Sequence, residues 1–277
     1  MRALYALIVT KKREKEIMKI FDSHSHIDDT CFEKDFDEML KRALEFSVQK
    51  IMVVGIDQQT SEKAIKLANN YKNLITSVGM HPHYADKCSK DVIKLFKKLA
   101  LNNPCVRAWG EIGLDFNRMH SKKESQEKWF ERQIYAALEL DLPIIFHERD
   151  SKGRFLEILE SADIKNRKGV IHCFSGTKTE MFKYLDLGYY IGITGILTLQ
   201  QRGAGLRELS LMIPENRILI ETDSPYLTPA PKKNKIRRNE PAFVKLVLQK
   251  LAEIKNTDVE KLAEIIWQNT IDLYGVV

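Results

Sequence analysis

From Met18 onward, short apolar runs alternate with longer stretches in which apolar residues recur every three or four positions. The runs Lys19–His24, Lys50–Ile56, Leu74–Met80, Val106–Ile112, Pro143–His147, Gly169–His172, Tyr190–Ile193 and Arg217–Glu221 have the length of strands. Within them, Ile51-Met52-Val53-Val54 and Ile144-Ile145-Phe146 are continuously apolar, the pattern of parallel strands covered on both faces. Between the runs, Phe36, Met39, Leu40, Ala43 and Leu44 keep helical spacing, as do Phe130, Ile134, Ala137 and Leu138. Eight strands, each followed by a helix or a helix-like segment, predict an α/β fold, a single-domain (β/α)8 TIM barrel with the first strand beside the last. Two further helices close the chain, one marked by Phe243, Val247, Leu248 and Leu251, the next by Val259, Leu262, Ile266, Ile271 and Leu273. There is no internal repeat, low-complexity tract or linker.

Composition narrows the class without naming a function. The 277 residues would suffice for two average domains or one large barrel, and 44% hydrophobic with 30% charged residues describes an ordinary globular protein. No apolar run approaches the ~20 residues of a membrane span, and Leu4–Val9 is too short for a secretory core, so no membrane association is expected. Four scattered cysteines without a Cys-x-x-Cys pair fit a reduced, cytoplasmic location. The formal charge is +6, but residues 1–17 carry five basic and two acidic side chains, which leaves the rest at only +3. That is too mild for general nucleic-acid binding, so any polyanion site must be local. Residues 1–17 read as an N-terminal extension, flexible or weakly docked, and 18–277 as the folded body.

The chemistry begins where the apolar runs end. His24 and His26 sit two residues apart at the end of the first run, where strand geometry points both to one side. Six of the seven histidines (His24, His26, His81, His83, His147, His172) lie at or just past the ends of apolar runs. In a barrel those ends converge on one mouth. Glu111 and Asp223 fall in the same place on their runs. Histidines with carboxylates suit zinc, manganese or cobalt, whereas magnesium prefers more oxygen ligands. The lack of a nearby cysteine pair argues against a structural zinc cage.

The segments Asp22-Ser23-His24-Ser25-His26, Gly110-Glu111-Ile112-Gly113-Leu114-Asp115, Phe146-His147-Glu148-Arg149-Asp150, His172-Cys173-Phe174-Ser175-Gly176 and Glu221-Thr222-Asp223-Ser224-Pro225-Tyr226-Leu227 resemble, in order, the motifs of the TatD family of metal-dependent hydrolases. The resemblance runs from Met18 to the C-terminus and takes in Asn239-Glu240-Pro241-Ala242-Phe243-Val244 and Asn269. It implies an amidohydrolase-like TIM barrel with two divalent metal ions, zinc, magnesium or manganese. By position, His24, His26 and Asp223 would hold one ion, His147 and His172 the other, and Glu111 would bridge them. Glu111 and Asp223 would also be the catalytic carboxylates, with Asp223 accepting or orienting a proton of the attacking water. A shared anion suits two cations held about 3.5–4 Å apart.

The activity implied is that of a two-metal phosphodiester hydrolase, a deoxyribonuclease acting on single-stranded or frayed DNA ends, with DNA as its partner. Two alternatives stand beside it: a D-aminoacyl-tRNA deacylase-type metallohydrolase and a non-catalytic nucleic-acid-binding protein. The intact ligand set speaks against the second. For substrate contacts, His81 and His83 resemble a motif on the substrate side of the mouth, though a polar loop start would explain them too. Arg149 could meet a phosphate or form a surface ion pair. Asp22 and Glu221 read as acceptors that fix ligand tautomers or as buried structural groups, Asp115 as a substrate contact or loop cap, His120 as a solvent residue, and Trp109 and Phe116 as packing. Five of the seven residues Lys232–Arg238 are basic. Within them Lys235 and Arg237 are expected to track a phosphate backbone, while Ile236 stands where the family often has glycine.

Overall fold

A computed structural model of the chain describes residues 18–162, 164–165 and 167–276. The expected extension 1–17 lies outside them. Among the described residues, the strands are β1 (Ile20–Ser25), β2 (Val48–Val53), β3 (Leu74–Val78), β4 (Val106–Asp115), β5 (Ile144–Arg149), β6 (Gly169–Ile171), β7 (Tyr190–Ile193) and β8 (Ile218–Ile220). The helices α1 (Phe36–Glu45), α2 (Gln58–Asn70), α3 (Lys90–Asn102), α4 (Lys123–Glu139), α5 (Arg154–Ser161), α6 (Lys178–Asp186) and α7 (Ala204–Ser210) alternate with them, and α8 (Val244–Lys255) and α9 (Val259–Tyr274) follow β8. The eight strands pair in parallel in sequence order. This is the (β/α)8 barrel.

Strand alternation sorts the apolar side chains into two layers. One residue from each strand (Phe21, Met52, Ile75, Ala108, Ile145, Val170, Tyr190 and Leu219) belongs to a cluster that fills the barrel, completed by Leu273 and Tyr274 of α9. Their neighbours Ile20, Ile51, Leu74, Trp109, Ile144, Ile171, Ile191 and Ile218 pack outward against the helices. The helices start on local signals. Asp57 with Thr60 and Thr177 with Glu180 form capping boxes, while the Ser89 and Asp258 side chains accept the orphan N–H groups of α3 and α9. Gly275, in the left-handed region at φ 59°, ends α9.

Closure of the barrel is local. β1 and β8 meet through a parallel bridge at Ser25 and Ser224, with His26 N–H donating to Ser224 O at 2.8 Å and Asp223 N–H to His24 O at 2.9 Å. The seam is thus drawn shut at the mouth by the residues around His24, His26 and Asp223.

Candidate metal centre

On β5, β6 and β8 the mouth is reached by plain alternation. Ile145, Val170 and Leu219 face the barrel interior, and His147, His172 and Glu221 follow two residues later on the same side. β4 needs an irregularity. Trp109 and Ile112 both face outward although three residues apart, and the β4–β5 register shifts between them. That slip turns Glu111 inward, as bulges beside active sites do. A similar shift lies between Asp22 and Ser25 of β1, at His24.

The side chains converge in two groups that share Glu111. Around Glu111 Oε2, His24 Nε2 lies at 3.4 Å and His26 Nε2 at 3.9 Å. The two imidazole nitrogens are 3.2 Å apart, and Asp223 Oδ1 is 3.4 Å from His26 Nε2 and 3.8 Å from His24 Nε2. Around Glu111 Oε1, His147 Nδ1 lies at 2.6 Å, His81 Nε2 at 3.5 Å and His172 Nε2 at 3.9 Å. Asp223 Oδ1 stands 3.8 Å from His172 Nε2. Four donors at bonds of about 2.0–2.2 Å around one ion would be spaced roughly 3.3–3.6 Å apart. The edges of the first group, from 3.2 to 3.9 Å, bracket that spacing. His24, His26 and Glu111 form one set of donor atoms able to hold a metal.

Three of the four histidines have their second ring nitrogen against an acceptor. His26 Nδ1 is 3.2 Å from Val54 O, His147 Nε2 is 3.4 Å from Asp115 Oδ2, and His172 Nδ1 is 2.9 Å from Glu221 Oε1, the last without an aligned hydrogen bond. Each arrangement leaves the other nitrogen free to ligate. His24 Nδ1 is buried without a partner. The His24 and His172 rings stack with centroids 3.4 Å apart, so two charged rings there would repel.

His81 is grouped by distance with Glu111 and His147, but its hydrogen bonding assigns it differently. His83 N–H donates to His81 Nδ1 at 3.0 Å, which leaves the proton of the neutral ring on Nε2. Burial drives the His81 pKa down to about 3, so the ring is neutral. It therefore presents an N–H, 3.2 Å from His147 Nδ1, to the floor of the site rather than a lone pair. Cys173 lies beside His172 and Asp223. Burial, reinforced by the Asp223 and Glu221 carboxylates, pushes its thiol well above the ordinary range, which keeps it a thiol.

Burial would lower the pKa values of His26 and His147, but Asp223 beside the first, and Asp115 and Glu111 beside the second, outweigh it and raise them to about 9 and about 10. Burial would raise Glu111, and the imidazoles of His81, His24 and His172 hold it well below the carboxylate range instead. An ion entering the site would take the place of protons.

The metal-ligand candidates His26, Glu111, His147, His172 and Asp223 line a cavity of about 960 Å³, together with His81, His83, Asp115 and Arg149. His83 Nε2 bonds Asp115 Oδ2 at 2.7 Å, and Asp115 also accepts the N–H groups of Asn117 and Arg118, so it both caps its loop and faces the cavity. His120 is exposed, edge-on to His83. Lys235 and Arg237 are exposed and are not part of the cavity lining, which instead recruits Arg118, Arg202, Lys63, Tyr84 and Tyr226. Sequence reasoning missed those five. Asp22 is fully buried, but its carboxylate accepts the Thr222 N–H and hydroxyl at 2.8 and 2.6 Å, so it fixes β1 to the segment after β8 and no imidazole tautomer.

Residues 21–275 match the sequence profile of the family described as TatD related DNase. A relative from Citrobacter rodentium, "3'-5' ssDNA/RNA exonuclease TatD", is 39% identical over 260 residues, covering 93% of this chain and 98% of its own. Among solved structures, a TatD homolog from Escherichia coli K12 superposes with a TM-score of 0.87 at 29% identity, covering 94% of this chain and 100% of that one. A hydrolase TatD family protein from Entamoeba histolytica gives 0.84 at 27% identity, covering 93% and 98%.

Proposed function

From the membership of this chain in the TatD related DNase family, we propose that it is a metal-dependent nuclease that hydrolyses phosphodiester bonds at the ends of single-stranded nucleic acid, with DNA the expected substrate. The observation that carries the reading is Glu111, whose two oxygens face different sets of imidazoles. His24, His26 and Asp223 would hold one divalent ion with Glu111 Oε2, and His147 and His172 another with Glu111 Oε1. Divalent ions there would supply Lewis acidity toward a phosphoryl oxygen and an acidified water. The nitrogen-rich donor set favours zinc or manganese over magnesium.

The protein's own part is positioning and proton transfer. Asp223 lies between the two groups with its carboxylate 15% exposed to the cavity, so it can take a proton from water on the floor. Neutral His81 offers its Nε2–H to a phosphoryl oxygen without adding a charge that would repel cations. His83, held by Asp115, and Arg149 face the same space as substrate contacts. Relatives named as 3′-5′ exonucleases of single-stranded DNA and RNA support attack from a 3′ end. The depth of the centre, with Glu111 only 2% exposed, favours a lone strand over a duplex. Four free cysteines fit action in the cytoplasm.

The test is hydrolysis of 3′- and 5′-end-labelled single strands and of D-aminoacyl-tRNA in parallel, using metal-reconstituted, chelated and Glu111→Gln protein. Strand hydrolysis should vanish on chelation, return with added divalent metal and fall by orders of magnitude in Glu111→Gln. Hydrolysis of the aminoacyl ester alone would replace the nuclease reading. Binding of strands with no hydrolysis at all would make the protein a binder.

A further inference from the structure

Tyr226 is a large aromatic residue that the fold leaves 56% exposed, and it lies on the lining of the metal cavity. It follows Asp223 by three residues, and both sides of its peptide are fixed. Its N–H donates to Asp223 O at 2.8 Å, and its carbonyl accepts Asn239 Nδ2 at 2.7 Å, Asn239 itself being fully buried. Its ring stands edge-on to His26, with centroids 6.2 Å apart at 63°. Burial would account for an aromatic of this size; half-exposed on an anchored turn beside a metal-ligand candidate, it is better explained by a ligand.

We propose that Tyr226 is the platform on which the terminal nucleobase of the cleaved strand stacks, a reading that rests on the nuclease assignment above. The geometry places the ring beside the candidate ligand His26, at the edge of the space a scissile phosphate would enter. A base drawn onto it inside the cavity would have to leave its partner strand outside, so the platform selects frayed or single-stranded ends. It tolerates any sequence, because every base offers a π-face. Arg149 and Arg118 line the same cavity without an ion pair among the described residues, so they stand ready for the phosphates of the strand.

The experiment uses the metal-loaded full chain with wild-type, Tyr226→Ala, Tyr226→Phe and Tyr226→Trp proteins. Two oligonucleotides are compared, one ending in a natural nucleotide and one in an abasic nucleotide at the attacked end. On the natural end, Tyr226→Ala should raise KM roughly 5- to 100-fold with kcat nearly kept, while Phe and Trp retain the wild-type value and metal content stays constant. On the abasic end, wild-type and Tyr226→Ala should be equal. An unchanged KM in Tyr226→Ala, an equal penalty on both ends, or a Phe variant as poor as Ala would each overturn the platform. If the wild-type protein cuts neither oligonucleotide under any metal, the nuclease reading itself fails, a result distinct from the other three.

Discussion

The convergence of Glu111, His147, His172 and Asp223 on one candidate site was legible because barrel strands end together, so polar residues just past apolar runs meet. Asp22 shows the limit of that reading. It sits among the motif residues, yet its partner is Thr222, two hundred positions away, and only the fold reveals the pairing. Burial is the main cause that raises its pKa to about 8, the Thr222 hydrogen bonds opposing and the Glu221 carboxylate adding to the rise. The sign follows from linkage: a carboxyl that keeps its proton in the folded state up to about 8, against an ordinary 3.8, contributes stability below about pH 4 that is lost as pH rises through 8. Asp22→Asn keeps an acceptor for the Thr222 N–H and cannot ionise. In chelated protein its melting temperature, relative to wild type, should therefore climb steadily from pH 5 to pH 8. A difference that stays flat over that interval would show that Asp22 is already ionised in the folded chain.

At the scale of elements, the strands matched the apolar runs closely, while the irregularities that aim the ligands were invisible. In the run Val106–Ile112 only Gly110, at a φ of +153°, hints that the register slips before Ile112 and turns Glu111 inward. Gly113, just beyond, is a second local sign. It pairs with His147 at a φ of +150°, and a Cβ there would overlap the His147 carbonyl oxygen. Gly113→Ala should cost roughly 3 kcal/mol or more, read as a lower urea midpoint, and should displace His147; a wild-type midpoint would show that β4 relaxes freely.

The basic loop after β8 was read as one track, and the structure divides it. Lys232 lies over the Phe243 ring, and Arg238 pairs with Asp35 at 2.7 Å and covers Phe32, which leaves Lys233, Lys235 and Arg237 to solvent. Ile236 is not among the residues with positive φ, so the backbone there makes no demand for glycine. Lys235 and Arg237 are proposed as outer contacts that only a longer strand reaches. Changing both to Ala should flatten the slope of log affinity against log salt by roughly one unit for a long single strand and leave a trinucleotide unaffected. Arg118→Ala with Arg149→Ala should weaken both. Equal losses for the trinucleotide in the two double variants would place Lys235 and Arg237 in the cavity path after all.

The whole molecule is tied together at its ends. At one end of the barrel, α9 inserts Leu273 and Tyr274 into the interior cluster, and the Tyr274 hydroxyl donates to Ser23 O at 3.0 Å. At the mouth, β1 and β8 meet around Ser25 and Ser224, beside His24, His26 and Asp223. Ions bound by the proposed ligands would therefore join β1, β4, β5 and the segments after β6 and β8, adding cross-links where the β1–β8 ladder is thinnest. Binding to the folded chain alone stabilises it by about 2.7 kcal/mol at a free-metal concentration one hundred times Kd, a rise in melting temperature of roughly 5 °C for a chain of this size. Metal-reconstituted protein should show at least that rise over chelated protein and two ions per chain by metal analysis. Glu111→Gln should lose much of both, because its oxygens serve both groups, whereas Tyr226→Ala should lose neither. One ion per chain with an undiminished thermal shift would reduce the centre to the His24, His26 and Asp223 group and leave His147 and His172 to bind substrate directly.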